Sequence, residues 1–381
     1  MRRFVRGWVA GVVVGTRVVS GAVAGVEPLP SGADAPSMLT VMSYNVLHGQ
    51  PCAGGSFGSE VTPRMELAVA GGPDGELGLA ALAPDILGMQ EVSQIFETQS
   101  IEENQTCGVA AVIPFLDPPP GLEEVTAFEH QGDTLVRLLN GAVEGSPYAM
   151  RFVRDNPRLL PLVDDASVIP PDARTLSDVS AEMADFEIGL GLITRFRIQH
   201  VNVHNLTIGE VPGETRAIMH ATIQVREADG SETPIDFYDS HLTTTGGDSP
   251  QTVLMAAEIT RFILTTRRHP ESPGIFVCDC NATEGSATYQ LFAGAGFQDT
   301  FRAANPSGSG LSSGRDSLGS DCSEFPDGDG SRIDYVWQVP GSGGVLWEVA
   351  SSEVVMNYSE PVDGGCRWPS DHNGVLTTFA R

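Results

Sequence analysis

The sequence predicts one large α/β or β-sandwich unit, and three observations carry that reading. The chain has 381 residues, 41% of them hydrophobic, which is enough to bury a sizeable core. Short apolar, β-branched runs recur along it, and many end in an Asn, Asp, Glu or His. Thr252 to Arg267 has the spacing of an amphipathic helix. No internal repeat is evident.

Met1 to Ala24 reads as a secretory signal peptide. Arg2, Arg3 and Arg6 precede an apolar stretch from Trp8 to Val19, broken by Arg17, and Ala22-Val23-Ala24 supplies the small residues of a cleavage site. That stretch is too short to span a bilayer and no later one is long enough, so the expectation is export to a periplasmic or extracellular location without a membrane anchor. Residues 25–37, rich in Pro and Gly, read as a linker, and 38–381 as the domain. The formal net charge is -27, and all 22 basic residues are Arg. Such an excess repels polyanions at long range and argues against tight, sequence-specific DNA binding, which needs a basic footprint. Two readings of this composition compete: adaptation to a salty medium, where the repulsion is screened, or a codon bias toward Arg.

Leu39 to Val46 alternates and is β-branched, a first strand with Asn45 near its end; His48 follows in a loop. Arg64 to Ala83 has helical character broken by Gly71-Gly72-Pro73, and Pro84 to Val92 forms a second apolar strand ending in Glu91. A helical piece at Thr134 to Leu139 and a strand candidate at Tyr148 to Val153 come next. Gly189 to Phe196 and Arg216 to Val225 supply further strands, and Ile235 to Leu242 brings His241 to a strand end. In Gly274 to Asn281 alternate residues share a face, so Asp279 and Asn281 leave the core together while Cys278 and Cys280 point inward as buried thiols. Asp334 lies in the strand Ser331 to Trp337, and Asp371 and His372 lie in Pro369 to Val375.

One polar residue at a strand end means little, since Asn and Asp also favour turns. Asn45, Glu91, His241, Asp279, Asn281, Asp334, Asp371 and His372 repeat the pattern, and packed sheets put such ends on one rim. Together they offer hard oxygen ligands, an acid and base, and amide donors for a phosphate. No HExxH or CxxC spacing suggests zinc. The ordered set Tyr44-Asn45, Gln90-Glu91-Val92, Gly189 to Arg195, Ser240-His241-Leu242, Asp279-Cys280-Asn281, Arg332 to Tyr335 and Ser370-Asp371-His372 resembles the endonuclease/exonuclease/phosphatase superfamily, the deoxyribonuclease I-like fold.

The resemblance implies a four-layer α/β sandwich of two packed mixed β-sheets flanked by helices, with a divalent cation at one rim: Mg2+, with Mn2+ or Ca2+ as alternatives. It implies Glu91 as principal metal ligand, with Asn45 beside it and Asp371 at or near the ion. Asp279 would orient or deprotonate the attacking water, and Asn281 and His241 would hold the phosphate. His372, paired with Asp334, would bind the scissile phosphate or transfer a proton, and Arg195 matches a substrate-binding Arg. Two departures, Cys278 for a usual Gly and Leu190 for a usual Asn, supply no metal ligand and bear on packing beneath the site.

The implied activity is hydrolysis of phosphodiesters by water, nuclease-like. The alternatives are a phosphomonoesterase or sphingomyelinase-type phospholipid hydrolase of the same superfamily, and a non-catalytic extracellular binding module. The substrate would be a nucleic acid, a phospholipid or a small phosphoester, and the protein a monomer without a protein partner. An insertion at about 103–187 separates the second strand from Gly189. Within it Val109 to Leu116 is apolar, a buried strand or, on the lipid reading, a membrane-touching hairpin. Asn305 to Gly330 is a Gly-, Ser- and Asp-rich excursion. Among the six cysteines the expected disulfides are Cys52 with Cys107 and Cys322 with Cys366.

Overall fold

The structure is a computed structural model of the chain. It describes residues 38–47, 61–93, 131–145, 148–154, 188–207, 216–227, 229–315, 318–319, 322–323, 325 and 330–381. The expected signal and linker, His48, Cys52, Cys107, the apolar run 109–116 and most of the insertion lie outside the described residues.

Two six-stranded mixed sheets form the frame. The first contains β1 (Met38–Asn45), β2 (Ile86–Ser93), β3 (Ala149–Arg154), β4 (Ile188–Thr194), β12 (Glu348–Val355) and β15 (Gly374–Ala380), in the order β12-β15-β1-β2-β4-β3. The second contains β5 (Arg197–Asn205), β6 (Ala217–Arg226), β7 (Glu232–His241), β8 (Gly274–Asp279), β9 (Gln298–Asp299) and β11 (Asp334–Val339), in the order β5-β6-β7-β8-β11-β9. A small third sheet joins β10 (Leu318–Gly319), β13 (Glu360–Val362) and β14 (Gly365–Arg367).

Apolar side chains on both faces of each large sheet produce four layers. Between the sheets, Leu39, Val41, Ile86, Leu192 and Phe379 meet Met219, Ile223, Phe237, Ile275 and Val277. Gly88 lets the sheets close, because a Cβ there would lie 2.4 Å from Val277 Cγ2 and 2.9 Å from Phe237 Cζ. The outer face of the first sheet packs on α1 (Val61–Ala70), α2 (Leu79–Leu82) and α3 (Gln131–Ala142) through Met65, Leu79, Leu135 and Leu139. The outer face of the second packs on α4 (Pro250–Thr266) and α5 (Ala287–Gly294) through Met255, Ile259, Ile263 and Phe292. Ser249 caps α4 by accepting from Thr252 N, and Pro250 opens its first turn. No helix among the described residues is long and apolar enough to cross a membrane.

Strand direction makes the rim. β1 runs parallel to β2 and β7 to β8, whereas β15 runs antiparallel to β1 and β11 to β8. The C-terminal ends of β1, β2, β7 and β8 therefore share an end of their sheets with the N-terminal ends of β15 and β11. Register fixes neighbours there: Asn45 opposite Gln90, and Asp279 opposite both His241 and Asp334.

The cysteines correct one expectation and match another. Cys322 and Cys366 are bonded, tying the excursion to β14. Cys278 and Cys280, expected as thiols, form a disulfide. They share the core face two residues apart, and the chain curls where β8 ends, bringing their Cα atoms to 5.1 Å, within disulfide reach.

Candidate active site

Backbone irregularities aim the side chains at the rim. The β2–β4 register shifts between Met89 and Val92, and Glu91 sits in this bulge at φ 60°. The bulge separates two polar neighbours. Gln90 turns inward, donating to buried Asp239 of the other sheet at 2.7 Å, and Glu91 turns to the rim. Asn281 follows β8 at φ 45°, and its amide N–H donates to Asp279 Oδ1 at 3.0 Å. Non-glycine residues at positive φ are uncommon and cluster where function fixes a side chain.

Asn45 Nδ2 donates to Glu91 Oε1 and to Asp279 Oδ2, 3.0 Å each, and its Oδ1 accepts from Leu47 N. So oriented, Asn45 braces the carboxylates of Glu91 and Asp279 at the rim. His241 Nε2 lies 3.3 Å from Asp279 Oδ2 and 3.8 Å from Glu91 Oε1. Glu91, His241 and Asp279 thus bring one ligand atom each within 4.8 Å of one another. Asp279, Asp334 and His372 form a second such set. There His372 Nδ1 is 2.9 Å from Asp334 Oδ2, which also accepts from Ser312 Oγ at 2.6 Å, and His372 Nε2 is 3.8 Å from Asp279 Oδ2.

Burial and neighbouring charge set the protonation. Burial, reinforced by Asp334, pushes the Asp279 carboxyl up to about 7 against the opposing effects of His372, Asn45 and the Asn281 N–H. Burial alone would lower His372. The charges of Asp334, Asp371 and Asp279 outweigh it and hold the imidazole well above its ordinary value, favouring its charged form. Asp371 contributes to that field; its Oδ1 accepts from Ser370 Oγ, and it belongs to neither close set of ligand atoms.

Arg195 is not brought to this rim. It follows β4, whose end pairs with the start of β2, and its guanidinium is ion-paired with buried Asp85. Glu91 lies six positions beyond Asp85, roughly 20 Å along the strand. The substrate-binding expectation is corrected: Arg195 neutralises a carboxylate at the opposite end of the sheet. Arg332 is buried among Tyr335, Tyr289 and Phe301 and pairs with Asp299 and Glu284.

Supporting residues that the sequence did not single out come from the excursion and from strand starts. Ser312 Oγ accepts from Ile333 N and Asp334 N while donating to Asp334. Arg315 is buried over the Trp368 ring at 4.3 Å, donates to Ser370 O at 3.1 Å and His372 O at 2.9 Å, and bonds Asn373 Oδ1. It fixes the turn carrying His372. Arg216 Nη1 lies 2.7 Å from His241 Nδ1. Only contact across 22 to 58 residues of chain gives these three a role. A motif-sized window cannot show that.

Comparison with known proteins identifies relatives. The model of a family described as the Endonuclease/Exonuclease/phosphatase family matches residues 42–372. A family member from Leptotrichia buccalis superposes with a TM-score of 0.53 at 16% identity, over 90% of this chain and 99% of that one. A mannosyl-6-phosphatase from Bacteroides thetaiotaomicron gives 0.51 at 15%, over 90% and 100%. TDP2 of D. rerio, complexed with a single-strand DNA product, gives 0.52 at 14%, over 91% and 100%. At these identities the superpositions show the shared fold. No curated protein matches this sequence.

Proposed function

Because the chain belongs to the endonuclease/exonuclease/phosphatase family, whose members hydrolyse phosphoesters, we propose that it is a divalent-cation-dependent phosphodiesterase of the nuclease-like kind, with this rim as its active site. The observation that carries the proposal is that Asp279 belongs to both donor sets. It joins the Glu91 side, suited to a cation, to the buried imidazolium of His372.

The donor set fits a hard cation such as Mg2+. Two carboxylates converge at the rim, and the raised Asp279 pKa marks a place where added positive charge is favourable. Glu91 would hold the ion with Asp371 as a further carboxylate, and Mn2+ or Ca2+ suits the same oxygens. When bound, the cation supplies electrostatic stabilisation of the oxyanion charge that develops on the phosphoryl group. Asp279 Oδ2, braced by Asn45, takes the proton of the attacking water. As the new oxygen–phosphorus bond forms, the bond to the leaving oxygen breaks, and His372 Nε2 supplies that oxygen with a proton. Asp334 holds the opposite ring nitrogen and stabilises the charged imidazole. Asn281 and His241 donate to the remaining phosphate oxygens.

A second reading, hydrolysis of a small phosphoester, is favoured by the charge of -27, which repels a long polyanion. Export is proposed from the leader pattern, and two disulfides among the described residues suit an oxidising compartment.

The test is hydrolysis of plasmid DNA, sphingomyelin vesicles and a phosphomonoester side by side, with Mg2+ or with EDTA, by wild type and Asp279→Ala. Metal-dependent cleavage lost in the variant supports the proposal, and the substrate cleaved assigns its class. Cleavage that survives Asp279→Ala, or none with any cation, refutes it.

A further inference from the structure

We infer that Arg216 is a positioning residue that fixes His241 with its proton on Nε2, making His241 a donor to the substrate phosphate and barring it from ligating the cation. The inference deepens the phosphoesterase reading and rests on it.

The argument begins with the guanidinium. It carries five N–H donors and no acceptor, and it does not deprotonate in proteins. Arg216 Nη1 stands 2.7 Å from His241 Nδ1, so Nδ1 must accept. A neutral imidazole has one protonated nitrogen, and here it is Nε2. The backbone holds this arrangement. Arg216 immediately precedes β6, its carbonyl accepts from Leu206 N at 2.7 Å, and Ser240 Oγ donates to the carbonyl of the next residue, Ala217, at 2.8 Å.

Proximity alone would make His241 a third ligand beside Glu91 and Asp279. An imidazole nitrogen binds a metal through its lone pair, and at Nε2 that position is taken by the proton. The cation is left to the oxygens. Asn281 Nδ2 lies 3.1 Å from the same Nε2 while donating to Leu242 O at 2.9 Å. Two N–H groups facing each other do not bond. They form a pair of donors that one anionic oxygen satisfies together, as a phosphate would.

The test is nitrogen-15 spectroscopy of the histidine rings in full-length, metal-free protein, with His241→Gln used for assignment. The expected wild-type spectrum shows His241 Nε2 protonated and Nδ1 as acceptor. Arg216→Lys, whose ammonium also only donates, keeps that pattern, whereas Arg216→Met moves the proton toward Nδ1. Mn2+ affinity should change less than about threefold in His241→Gln and fall at least tenfold in Glu91→Gln. Turnover should fall ~10–100-fold in Arg216→Met and largely return in Arg216→Lys. An unprotonated Nε2 in the wild type, or Mn2+ binding weakened as much by His241→Gln as by Glu91→Gln, overturns the inference. If the wild type shows the Nε2 proton but hydrolyses no phosphoester, the tautomer assignment stands and the phosphoesterase reading falls. The wild-type spectrum and Arg216→Lys decide the matter even where Arg216→Met fails to fold.

Discussion

At His372 three carboxylates compete with burial, and the carboxylates win. Asp334 contributes most, through charge and through its bond to Nδ1. Asp334→Asn should therefore lower the His372 pKa by ~1 unit or more and move the alkaline limb of the pH–rate profile to lower pH. An unmoved limb would show that His372 does not act as the imidazolium. For stability the sign follows from the raised folded-state value. The contribution of His372 is complete below the free-imidazole value and is lost as pH rises through its folded value. Asp279 behaves alike, since its pKa is raised to about 7: in chelated protein its contribution is complete below the free carboxyl value and is lost as pH rises toward 7. A cation competes with that proton, so the melting-temperature gain from Mg2+ over EDTA should be larger at pH 8 than at pH 5. An equal or reversed gain would remove the cation from Asp279's surroundings. The polar residues that end apolar runs were legible one by one, from Asn45 to His372. Ser312 and Arg315 were not, because a Ser and an Arg in a Gly-rich excursion carry no local signal of what they will touch.

Among the elements, β1, β2 and β8 announced themselves because burial on both faces makes them largely apolar runs. β5 did not. It is an edge strand, half-exposed, and His200, Asn202 and His204 break its apolar pattern. Nor could pattern show the bulge at Glu91 or the curl that joins Cys278 to Cys280, since both depend on the backbone departing from regular strand geometry. Arg195 was misplaced for a related reason: a motif gives order along the chain, while strand direction decides which rim a residue reaches. The close approach at Gly88 gives a direct test of sheet packing. Gly88→Ala should cost about 1–3 kcal/mol in chemical denaturation, because the sheets must part or Val277 and Phe237 must shift. No loss would mean that the sheets do not meet there.

For the molecule as a whole, the motif order carried the fold: seven short signals in one sequence predicted two packed sheets, and the four layers follow. Charge is the property that the fold does not explain. At -27 with no Lys, mutual repulsion should be relieved by salt, so the melting temperature should rise between low and molar NaCl. Indifference to salt would leave codon bias as the account of the Arg-only composition. The central claim is that one rim, built from both sheets, holds a cation beside a buried imidazolium and works on a phosphate. It is tested most directly by anomalous diffraction from crystals soaked with Mn2+ and inorganic phosphate. The account predicts manganese against the carboxylate of Glu91, beside Asp371 and Asp279, with the phosphate reaching Asn281, His241 and His372. Manganese bound elsewhere with that rim empty would contradict it.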